Sequence, residues 1–562
     1  MHYKESYSEW LRNSEWFNDS RVDKRLLQEL KSISDEKDIE DRFYKDLEFG
    51  TAGIRGVLGA GTNRMNVHTV SRVAEALSME IKRTNNENRG VVIGYDVRHM
   101  SKEFAELSAE ILSNNGIKVY LFDDIVPTPV LSYAIRKLRT VSGVMITASH
   151  NPKEYNGYKV YWDDATQIGK ETADNIVKHM NNIEDMFGIE RLNLNEALDL
   201  GIVEYVDNKI LSDYKNEVLN LSINNDVSNI SVVYSPLHGT GNKFIKDIFK
   251  KKGFNLHIVE EQSNADPDFT TVEYPNPEEI EAFDCSVKLA KEVNADLIIT
   301  TDPDADRVGV MVKHDGEYKL VTGNQLGTLV THYILKSLHE KGQLKRQSKI
   351  IKTIVTDNLV DKIAKDFNVE VVNVHVGFKN IYSKVNEWEK NDEEDNYILG
   401  YEESLGFGIG HNLARDKDAI SASLIIAEMV SEYLKENKTI INVLNEIQEE
   451  YGFHNEHLES IVMPGKDGQR DMQRLVKAFR ENPIEKLNGH KLIRKIDYLH
   501  DETDLEKLNV IKCEYEDGTW FVIRPSGTEP KLKLYIYTVG NSHESTESKM
   551  KSVIKELKDT LK

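Results

Sequence analysis

The sequence predicts three similar α/β domains followed by a smaller α+β domain. The first reason is length, because 562 residues exceed the roughly 250–300 residues at which a single hydrophobic core stops growing. The second reason is the order of the predicted strands and helices along the sequence. Short apolar, β-rich runs alternate with amphipathic helical stretches in three successive cycles, as parallel βαβ units do, and a region rich in hairpin-like strands follows them.

Each of the three cycles contains strands bounded by turn residues, and a charged helical lead-in over residues 1–45 precedes them. The first cycle is predicted to contain VVIGYDVR (91–98), KVYLFDD (118–124) and GVMITAS (143–149). The second is predicted to contain ISVVYSPLHG (230–239), FNLHIVEE (254–261) and ADLIITTD (295–302). The third is predicted to contain KIIKTIVT (349–356) and VEVVNVHVG (369–377).

The pattern changes after about residue 455, where helices and short strands no longer alternate. A helix over QRDMQRLVKAFREN is followed by KLIRKIDYL, NVIKCEYEDG, TWFVIRP and KLKLYIYTVG, with DGT as a hairpin turn. We therefore predict the following four domains: domain I at 1–205, domain II at 206–320, domain III at 321–453 and domain IV at 454–562.

The composition excludes several classes of protein. Lys plus Arg total 72 and Asp plus Glu total 94, a net charge of −22, which disfavours binding to nucleic acid or anionic lipid. No apolar stretch approaches the roughly 20 residues of a membrane span, and the polar N-terminus is unlike a signal peptide. Two cysteines, Cys285 and Cys513, cannot form a disulfide framework. We therefore expect a cytoplasmic protein without nucleic-acid or membrane partners.

The first loop of chemical interest is TASHNP (147–152), which follows the strand GVMI directly. Sheets of α/β domains place ligands at the carboxyl ends of their strands, so Ser149 lies where a reactive hydroxyl is expected. His150 can orient the loop, and Lys153 and Lys159 supply positive charge. An ordinary strand-to-turn junction is the alternative, since Ser, Asn and Pro are common in turns.

The second loop, DPDADR (302–307), follows another apolar strand and carries three aspartates at alternate positions. Three anions this close repel one another unless a cation lies among them, and hard oxygen ligands favour Mg²⁺. An EF-hand is excluded because Arg307 and Lys313 occupy the positions that require Gly and Glu. A solvated acidic turn is the alternative, which the strongly apolar preceding strand disfavours.

Two later loops carry groups suited to a sugar phosphate. GYEESLG (400–406) offers acceptors for sugar hydroxyls in Glu402, Glu403 and Ser404, although paired glutamates are also common on surfaces. RPSGTEPKLKLY (524–535) is typical of a phosphate site, because Arg binds two oxygens at once and Gly admits backbone amides. The alternative for this loop is a Pro-Gly hairpin with incidental charges.

Three more stretches fit an anion site. A fourth stretch resembles a dinucleotide-binding motif only superficially. The three stretches are GTAGIRG (50–56) with Arg55, GYDVRHMS (94–101) with Arg98, and GFKN (377–380) with Lys379. GVLGAG (56–61) has closely spaced glycines but follows no strand and departs from G-x-G-x-x-G. We therefore exclude a dinucleotide site.

These motifs together carry a family resemblance. TASHNP, DPDADR, GYEES and RPSGTEPK, in this order on successive domains, resemble the α-D-phosphohexomutase superfamily, and GTAGIRG and VPTPVLSYA (126–134) also match its first domain. GYEES and GFKN are most similar to the bacterial phosphoglucomutase branch, which includes phosphopentomutases. The resemblance, from about residue 45 onward, implies the four-domain phosphohexomutase architecture, with mixed sheets in three α/β domains and a C-terminal α+β domain.

Carried over residue by residue, the resemblance implies a site distributed over the motifs. Ser149 would be the phosphorylated serine, and it would bind Mg²⁺ together with Asp302, Asp304 and Asp306. The reacting centre would be lined by Arg55, His150, Lys159 and Lys379. The sugar phosphate would be contacted by Glu402, Ser404, Arg524, Ser526, Gly527, Thr528 and Lys531.

The implied activity is that of a phosphoglucomutase, an intramolecular phosphotransferase of the isomerase class. It would interconvert glucose 1-phosphate and glucose 6-phosphate through a phosphoserine enzyme, with glucose 1,6-bisphosphate as intermediate and activator. Either Lys159 or His150 would take the hydroxyl proton. The motif EES favours glucose over the mannose that relatives with GEMS also accept, but Tyr401, inserted after Gly400, keeps pentose phosphates open. Phosphomannomutase and phosphopentomutase are the alternatives, and both monomer and dimer remain open.

Two other functions fit parts of the sequence. A haloacid-dehalogenase-like phosphatase would use an aspartate of DPDADR as its nucleophile, but it gives Ser149 and the last loop no role. A catalytically silent sugar-phosphate-binding protein has no reason to keep the serine, the three aspartates and the phosphate-loop arginine together. Both are therefore weaker than the mutase.

Overall fold

A computed structural model describes most of the chain, namely residues 2–16, 24–224, 227, 230–463, 465–525 and 531–560. The fold divides into two compact units. The first unit comprises residues 1–322, 382–399 and 404–435, and the second comprises residues 323–381, 400–403 and 436–562. In the part of the chain that is described, no helix combines the length and apolarity that crossing a bilayer requires.

The lead-in forms three helices that pack against the first α/β domain. They are α1 (His2–Trp16), α2 (Lys24–Ser32) and α3 (Glu36–Phe43). Trp10, Leu30 and Phe43 form a buried cluster with Ala60 of the first domain. The carboxylate of Glu29 also accepts a hydrogen bond from the backbone amide of Ala60, at 3.0 Å. This segment is therefore a folded cap on the first domain.

The first domain is a mixed six-stranded sheet with helices against it. Its strands are β1 (Ile54–Val57), β2 (Val91–Tyr95), β3 (Val119–Leu121), β4 (Ser142–Ile146), β5 (Tyr155–Trp162) and β6 (Val203–Tyr205). Its helices are α4 (Val67–Arg83), α5 (Ser101–Asn114), α6 (Thr128–Leu138), α7 (Lys170–Asn182), α8 (Leu194–Asp199) and α9 (Asn208–Asn220). The strand order is β1-β5-β4-β2-β3-β6, and β5 runs antiparallel to both of its neighbours.

The second domain repeats this plan in a five-stranded sheet. Its elements are β7 (Ser231–Ser235), α10 (Asn242–Lys252), β8 (Asn255–Ile258), α11 (Glu260–Ser263), α12 (Asp284–Val293), β9 (Leu297–Thr301), β10 (Val308–His314) and β11 (Glu317–Val321). The order is β11-β10-β9-β7-β8, in which β7 is parallel to β8 and β9 and β10 is antiparallel to β9. All of β9 (LIITT) is buried, as its apolar and β-branched sequence predicts.

The third region follows the same alternation of helices and strands. Its elements are α13 (Gly323–Glu340), β12 (Lys349–Thr353), α14 (Leu359–Asp366), β13 (Glu370–Val374), α15 (Phe378–Glu389), β14 (Tyr397–Glu402), β15 (Gly406–Ile409), α16 (Ala419–Lys435) and α17 (Ile440–Tyr451). The strand order is β13-β12-β14-β15, and β12 and β13 are parallel.

The last region is an antiparallel sheet with two helices. Its elements are β16 (Phe453–Val462), α18 (Gly465–Glu481), β17 (Lys486–Leu487), β18 (His490–Asp497), β19 (Ile511–Tyr515), β20 (Trp520–Pro525), β21 (Lys531–Gly540) and α19 (His543–Thr560). Phe479 of α18 and Val553 of α19 share one core cluster with Phe521 of β20. The predicted fold class, three α/β domains with mixed sheets and a C-terminal α+β domain, is confirmed, while the four domain boundaries stay a prediction.

Candidate functional site

The loop after β4 holds Ser149 in an unusual backbone conformation. Ser149 is buried and has a φ of 54°, in the left-handed region that residues other than glycine seldom adopt. Its backbone amide donates to the Thr147 hydroxyl at 2.8 Å, and that hydroxyl donates to Asp96 at 2.6 Å. A buried carboxylate therefore stabilises the strained turn that presents the serine.

Arg98 binds the backbone of the same loop through hydrogen bonds. Its buried guanidinium donates to the backbone carbonyls of Ser149 at 2.6 Å, Pro152 at 2.8 Å and Tyr155 at 3.1 Å. The carboxylate of Asp96 lies 3.4 Å from it. The sequence suggested Arg98 as an anion ligand, and this interpretation is wrong: carbonyls of the serine loop already occupy the guanidinium.

Three buried aspartates face Ser149 from the loop after β9. Ligand oxygens of Asp302, Asp304 and Asp306 all lie within 4.8 Å of one another, and the Ser149 hydroxyl donates to Oδ2 of Asp302 at 2.7 Å. Burial and the two neighbouring aspartates raise the pKa of Asp302 well above its ordinary value. The sequence placed these four residues together, and the structure brings them together.

Lys159 on β5 supplies positive charge to this cluster. Its ammonium lies 2.8 Å from Oδ2 of Asp304 and 3.4 Å from Oδ2 of Asp306. Burial opposes ionisation of both partners, but the ion pair prevails: the pKa of Asp304 is lowered and the pKa of Lys159 is raised. Lys159 is therefore a buried cation fixed against the carboxylates.

A second lysine at this cluster was missed by the sequence analysis. Lys417 lies 3.2 Å from Oδ2 of Asp306, on the loop that precedes α16. Its neighbour Asp416 accepts a hydrogen bond from Tyr161 of β5 at 2.6 Å, which fixes the loop to the first domain. The alternating charges of RDKD (415–418) before a long apolar helix were the available signal.

The aspartate cluster fits a hard divalent cation. Oδ1 of Asp304 and Oδ1 of Asp306 are buried and have no hydrogen-bond partner among the described residues, which is costly for a buried polar atom unless something else satisfies it. Anionic oxygens are the ligands that Mg²⁺ prefers. The residues present therefore match the expected ion in charge and in ligand type.

Two further residues predicted for the reacting centre lie near Ser149. Nδ1 of His150 is 3.3 Å from the Ser149 hydroxyl, and desolvation together with Arg307 and Arg55 lowers the pKa of His150 well below its ordinary value. Arg55 on β1 is exposed and donates to the side chain of Asn151 at 3.0 Å. An exposed guanidinium beside the serine loop is available to an anionic ligand.

Glu402, which is predicted to contact the sugar, lies in the second unit. Oε1 of this buried residue accepts a hydrogen bond from the backbone amide of Gly377 at 2.8 Å. Ser404 lies in the first unit and is partly exposed. The inserted Tyr401 is fully buried, and its hydroxyl donates to Asp357 at 3.1 Å. Tyr401 is thus a core residue, which weakens the argument that its insertion alters the sugar pocket directly.

The predicted phosphate-binding residues are only partly described. Arg524, at the end of β20, is partly exposed, and Lys531 begins β21. Ser526, Gly527 and Thr528 lie outside the described residues. Lys379, in the first turn of α15, is partly exposed, and desolvation lowers its pKa.

Comparison with family models covers four segments of the chain. Residues 46–186, 212–316 and 322–451 match the phosphoglucomutase/phosphomannomutase α/β/α domains I, II and III, and residues 471–546 match the C-terminal domain. The chain is similar to the phosphoglucomutase of Staphylococcus haemolyticus (strain JCSC1435), with 38% identity over 88% of this chain and 91% of that protein. It is 36% identical to the phosphoglucomutase of Staphylococcus aureus (strain MRSA252), over 89% and 91% of the two chains.

Solved structures share the fold at lower sequence identity. A phosphoglucomutase/phosphomannomutase family protein from Burkholderia thailandensis aligns with a TM-score of 0.68 at 18% identity, over 91% of this chain and 97% of that one. The open form of parafusin from Paramecium aligns with a TM-score of 0.68 at 18% identity, over 92% and 95%.

The four-domain architecture and the buried serine–aspartate centre define an enzyme of the isomerase class that acts as a phosphohexomutase. The chain belongs to the phosphoglucomutase/phosphomannomutase family. The family resemblance read from the sequence is thereby confirmed.

Proposed function

We propose that this enzyme interconverts glucose 1-phosphate and glucose 6-phosphate through a phosphorylated Ser149. The observation that carries the proposal is the Ser149 hydroxyl, which lies 2.7 Å from Asp302 within a three-aspartate cluster. The identity to relatives named phosphoglucomutase supports glucose as the sugar. The motif EES supports the same choice.

The proposed reaction is two successive phosphoryl transfers at one centre. In the first, the P–O bond to Ser149 Oγ breaks and a P–O bond forms to the free hydroxyl of the sugar phosphate, which gives glucose 1,6-bisphosphate and a free serine. The bisphosphate then reorients in the site by about half a turn, and its other phosphoryl group is transferred to Ser149. The hydroxyl proton passes to a base. His150, whose pKa is lowered, can accept it as a neutral imidazole, whereas Lys159 can accept it only after losing the proton that its ion pairs with Asp304 and Asp306 stabilise.

Asp302, Asp304 and Asp306, with an oxygen of the phosphoserine, would hold Mg²⁺. The ion, when bound, supplies positive charge that neutralises the transferring group. Lys159 and Lys417, each within 3.4 Å of an aspartate oxygen, offset the remaining negative charge of the cluster. The exposed Arg55 would contact the reacting phosphate, since a guanidinium can bind two of its oxygens. Positioning and electrostatics supply most of the acceleration of such a transfer.

The other end of the substrate would be bound by residues of the sugar and phosphate loops. The Glu402 carboxylate would accept hydrogen bonds from sugar hydroxyls, and the Ser404 hydroxyl would exchange hydrogen bonds with them. Lys379 would contact a phosphate. Arg524 and Lys531, together with Ser526, Gly527 and Thr528, would bind the distal phosphate. Because the bisphosphate must reorient between the two transfers, this phosphate site must accept a phosphate attached at either end of the sugar.

A substrate panel tests the proposal. Glucose 1-phosphate, mannose 1-phosphate and ribose 1-phosphate are compared as substrates, with Mg²⁺ and glucose 1,6-bisphosphate present. The measured products are the sugar phosphate (the 6-phosphate of a hexose or the 5-phosphate of ribose) and free inorganic phosphate. We expect the highest kcat/KM for glucose 1-phosphate and little inorganic phosphate. A preference for mannose or ribose would redirect the assignment within the family, and stoichiometric inorganic phosphate would indicate a phosphatase.

A further inference from the structure

A loop of the second domain touches both loops that carry the reacting groups. We call it the clasp and define it as residues 266–278, between α11 and α12. Its first turn is fixed by Asp266, whose carboxylate accepts hydrogen bonds from the backbone amides of Asp268 and Thr270, each at 3.0 Å. No motif of the sequence analysis includes this loop.

Phe269 of the clasp supports the arginine beneath the serine loop. Its ring centroid lies 5.0 Å from the guanidinium carbon of Arg98, a cation–π arrangement, and Arg98 in turn binds the backbone carbonyl of Ser149. Phe269 is 2% exposed and has a φ of 47°. Such a backbone conformation is unfavourable for a bulky side chain, and it persists only where the surrounding packing enforces it.

Asp268 contacts both the end of the serine loop and the loop that carries Arg98. Its carboxylate lies 3.1 Å from Nε2 of His99, next to Arg98 in sequence, and 3.7 Å from the ammonium of Lys153, directly after TASHNP. These partners are about half exposed, so each pair contributes little energy by itself. Their value is geometric, because they connect the clasp to the serine loop at Lys153 and to the loop that carries Arg98 at His99.

The far end of the clasp contacts the aspartate loop. Glu278 forms an ion pair with Arg307, the last residue of DPDADR. In the middle of the clasp, the Thr271 hydroxyl lies 2.8 Å from Nε2 of His238, in the turn after β7. That turn packs on the aspartate loop, since the amide of Thr240 donates to the carbonyl of Pro303 at 2.8 Å.

We propose that the clasp holds the serine loop and the aspartate loop in fixed register, with Phe269 and Glu278 as positioning residues for phosphoryl transfer. The proposal rests on the proposed function, because it concerns a reaction in which Ser149 acts beside the aspartates. Such transfers depend steeply on placement. Loosening the clasp should therefore slow the chemical steps and leave the binding of sugar phosphate nearly unchanged.

The test uses the full-length enzyme with three single substitutions. Phe269→Leu removes the aromatic face under Arg98, Glu278→Gln removes the charge beside Arg307, and Tyr274→Ala is the matched control, because Tyr274 belongs to the clasp but is 50% exposed. The readouts are kcat and KM for glucose 1-phosphate, and the rate at which glucose 1,6-bisphosphate phosphorylates Ser149, followed by quenching and intact mass.

We expect kcat and the phosphorylation rate to fall about tenfold for Phe269→Leu and about fivefold for Glu278→Gln, with KM within about twofold of wild type. Tyr274→Ala should match wild type. Should Phe269→Leu not fold, Glu278→Gln decides alone, since its side chain is on the surface. A wild-type kcat and phosphorylation rate in Glu278→Gln would overturn the proposal. Failure of the wild-type enzyme to become phosphorylated at Ser149 would instead contradict the proposed function.

Discussion

Replacing Asp304 by Asn should weaken metal binding without unfolding the centre. Oδ2 of Asp304 accepts hydrogen bonds from Thr128 at 2.7 Å and from Lys159 at 2.8 Å, and an amide oxygen can keep both. Lys159 also retains Asp306, at 3.4 Å, so no buried ammonium loses all its partners. The principal loss is the anionic Oδ1, the buried oxygen that has no partner among the described residues, because the amide nitrogen of Asn would take its place.

The magnitude follows from that single lost charge. Hydrogen bonds and contacts to a charged group contribute about 1.5–3 kcal/mol, and each 1.4 kcal/mol corresponds to about a factor of ten in affinity. The dissociation constant for Mg²⁺ should therefore rise between about tenfold and about 150-fold. The melting temperature without added metal should change little, because removing one of three repelling carboxylates offsets the weaker pairing with Lys159.

Metal titration measures this effect directly. Mg²⁺ binding is followed by calorimetry, and the rate of glucose 1-phosphate turnover is recorded against Mg²⁺ concentration. The matched control is Asp207→Asn, because Asp207 is an exposed N-cap of α9 and Asn caps helices as well as Asp. Unaltered Mg²⁺ affinity and Mg²⁺ dependence in Asp304→Asn would refute the assignment of the aspartates as metal ligands.

Three other expectations follow from the same account. Arg524→Ala should raise KM for glucose 1-phosphate about tenfold to about a hundredfold with little change in melting temperature; a lowered melting temperature with unchanged KM would make Arg524 a structural residue. Gly327→Ala should destabilise the second unit by about 1–3 kcal/mol or more, because a Cβ there would lie 2.1 Å from Cε2 of Tyr401. The control Gly50→Ala, whose Cβ would have no atom within 4 Å, should change stability little; equal melting curves for the two variants would contradict this packing. Treatment with EDTA should abolish turnover reversibly, and activity that survives exhaustive chelation would contradict the Mg²⁺ proposal.

The sequence revealed the positions of the key loops because their signals are local. An apolar run that ends in a polar loop marks the end of a buried strand, and β4 and β9 end directly before TASHNP and DPDADR. The antiparallel placement of β5 between β1 and β4 could not be predicted in the same way. Strand pairing is decided by contacts between distant residues, which local periodicity does not report.

Side-chain partners were harder to predict than loops. Arg98 resembled an anion ligand because a guanidinium is equally suited to phosphate oxygens and to carbonyls, and only the fold shows that carbonyls surround it. Tyr401 was interpreted as a change in the sugar pocket, but its side chain is fully buried in the core beside Gly327. Lys417 lies more than a hundred residues from Asp306. The alternating charges of RDKD mark its loop as unusual, but nothing local in the sequence connects that loop to Asp306.

The phosphorylation state of Ser149 tests the central claim most directly. The purified enzyme and Ser149→Ala are each incubated with glucose 1,6-bisphosphate and Mg²⁺, and intact mass and peptide mapping locate any phosphoryl group before and after glucose 6-phosphate is added. We predict one phosphoryl group on Ser149 of the wild-type enzyme, lost to the sugar phosphate on addition, and neither modification nor turnover in Ser149→Ala. An unmodified Ser149, or a Ser149→Ala enzyme that still interconverts the glucose phosphates, would contradict the account.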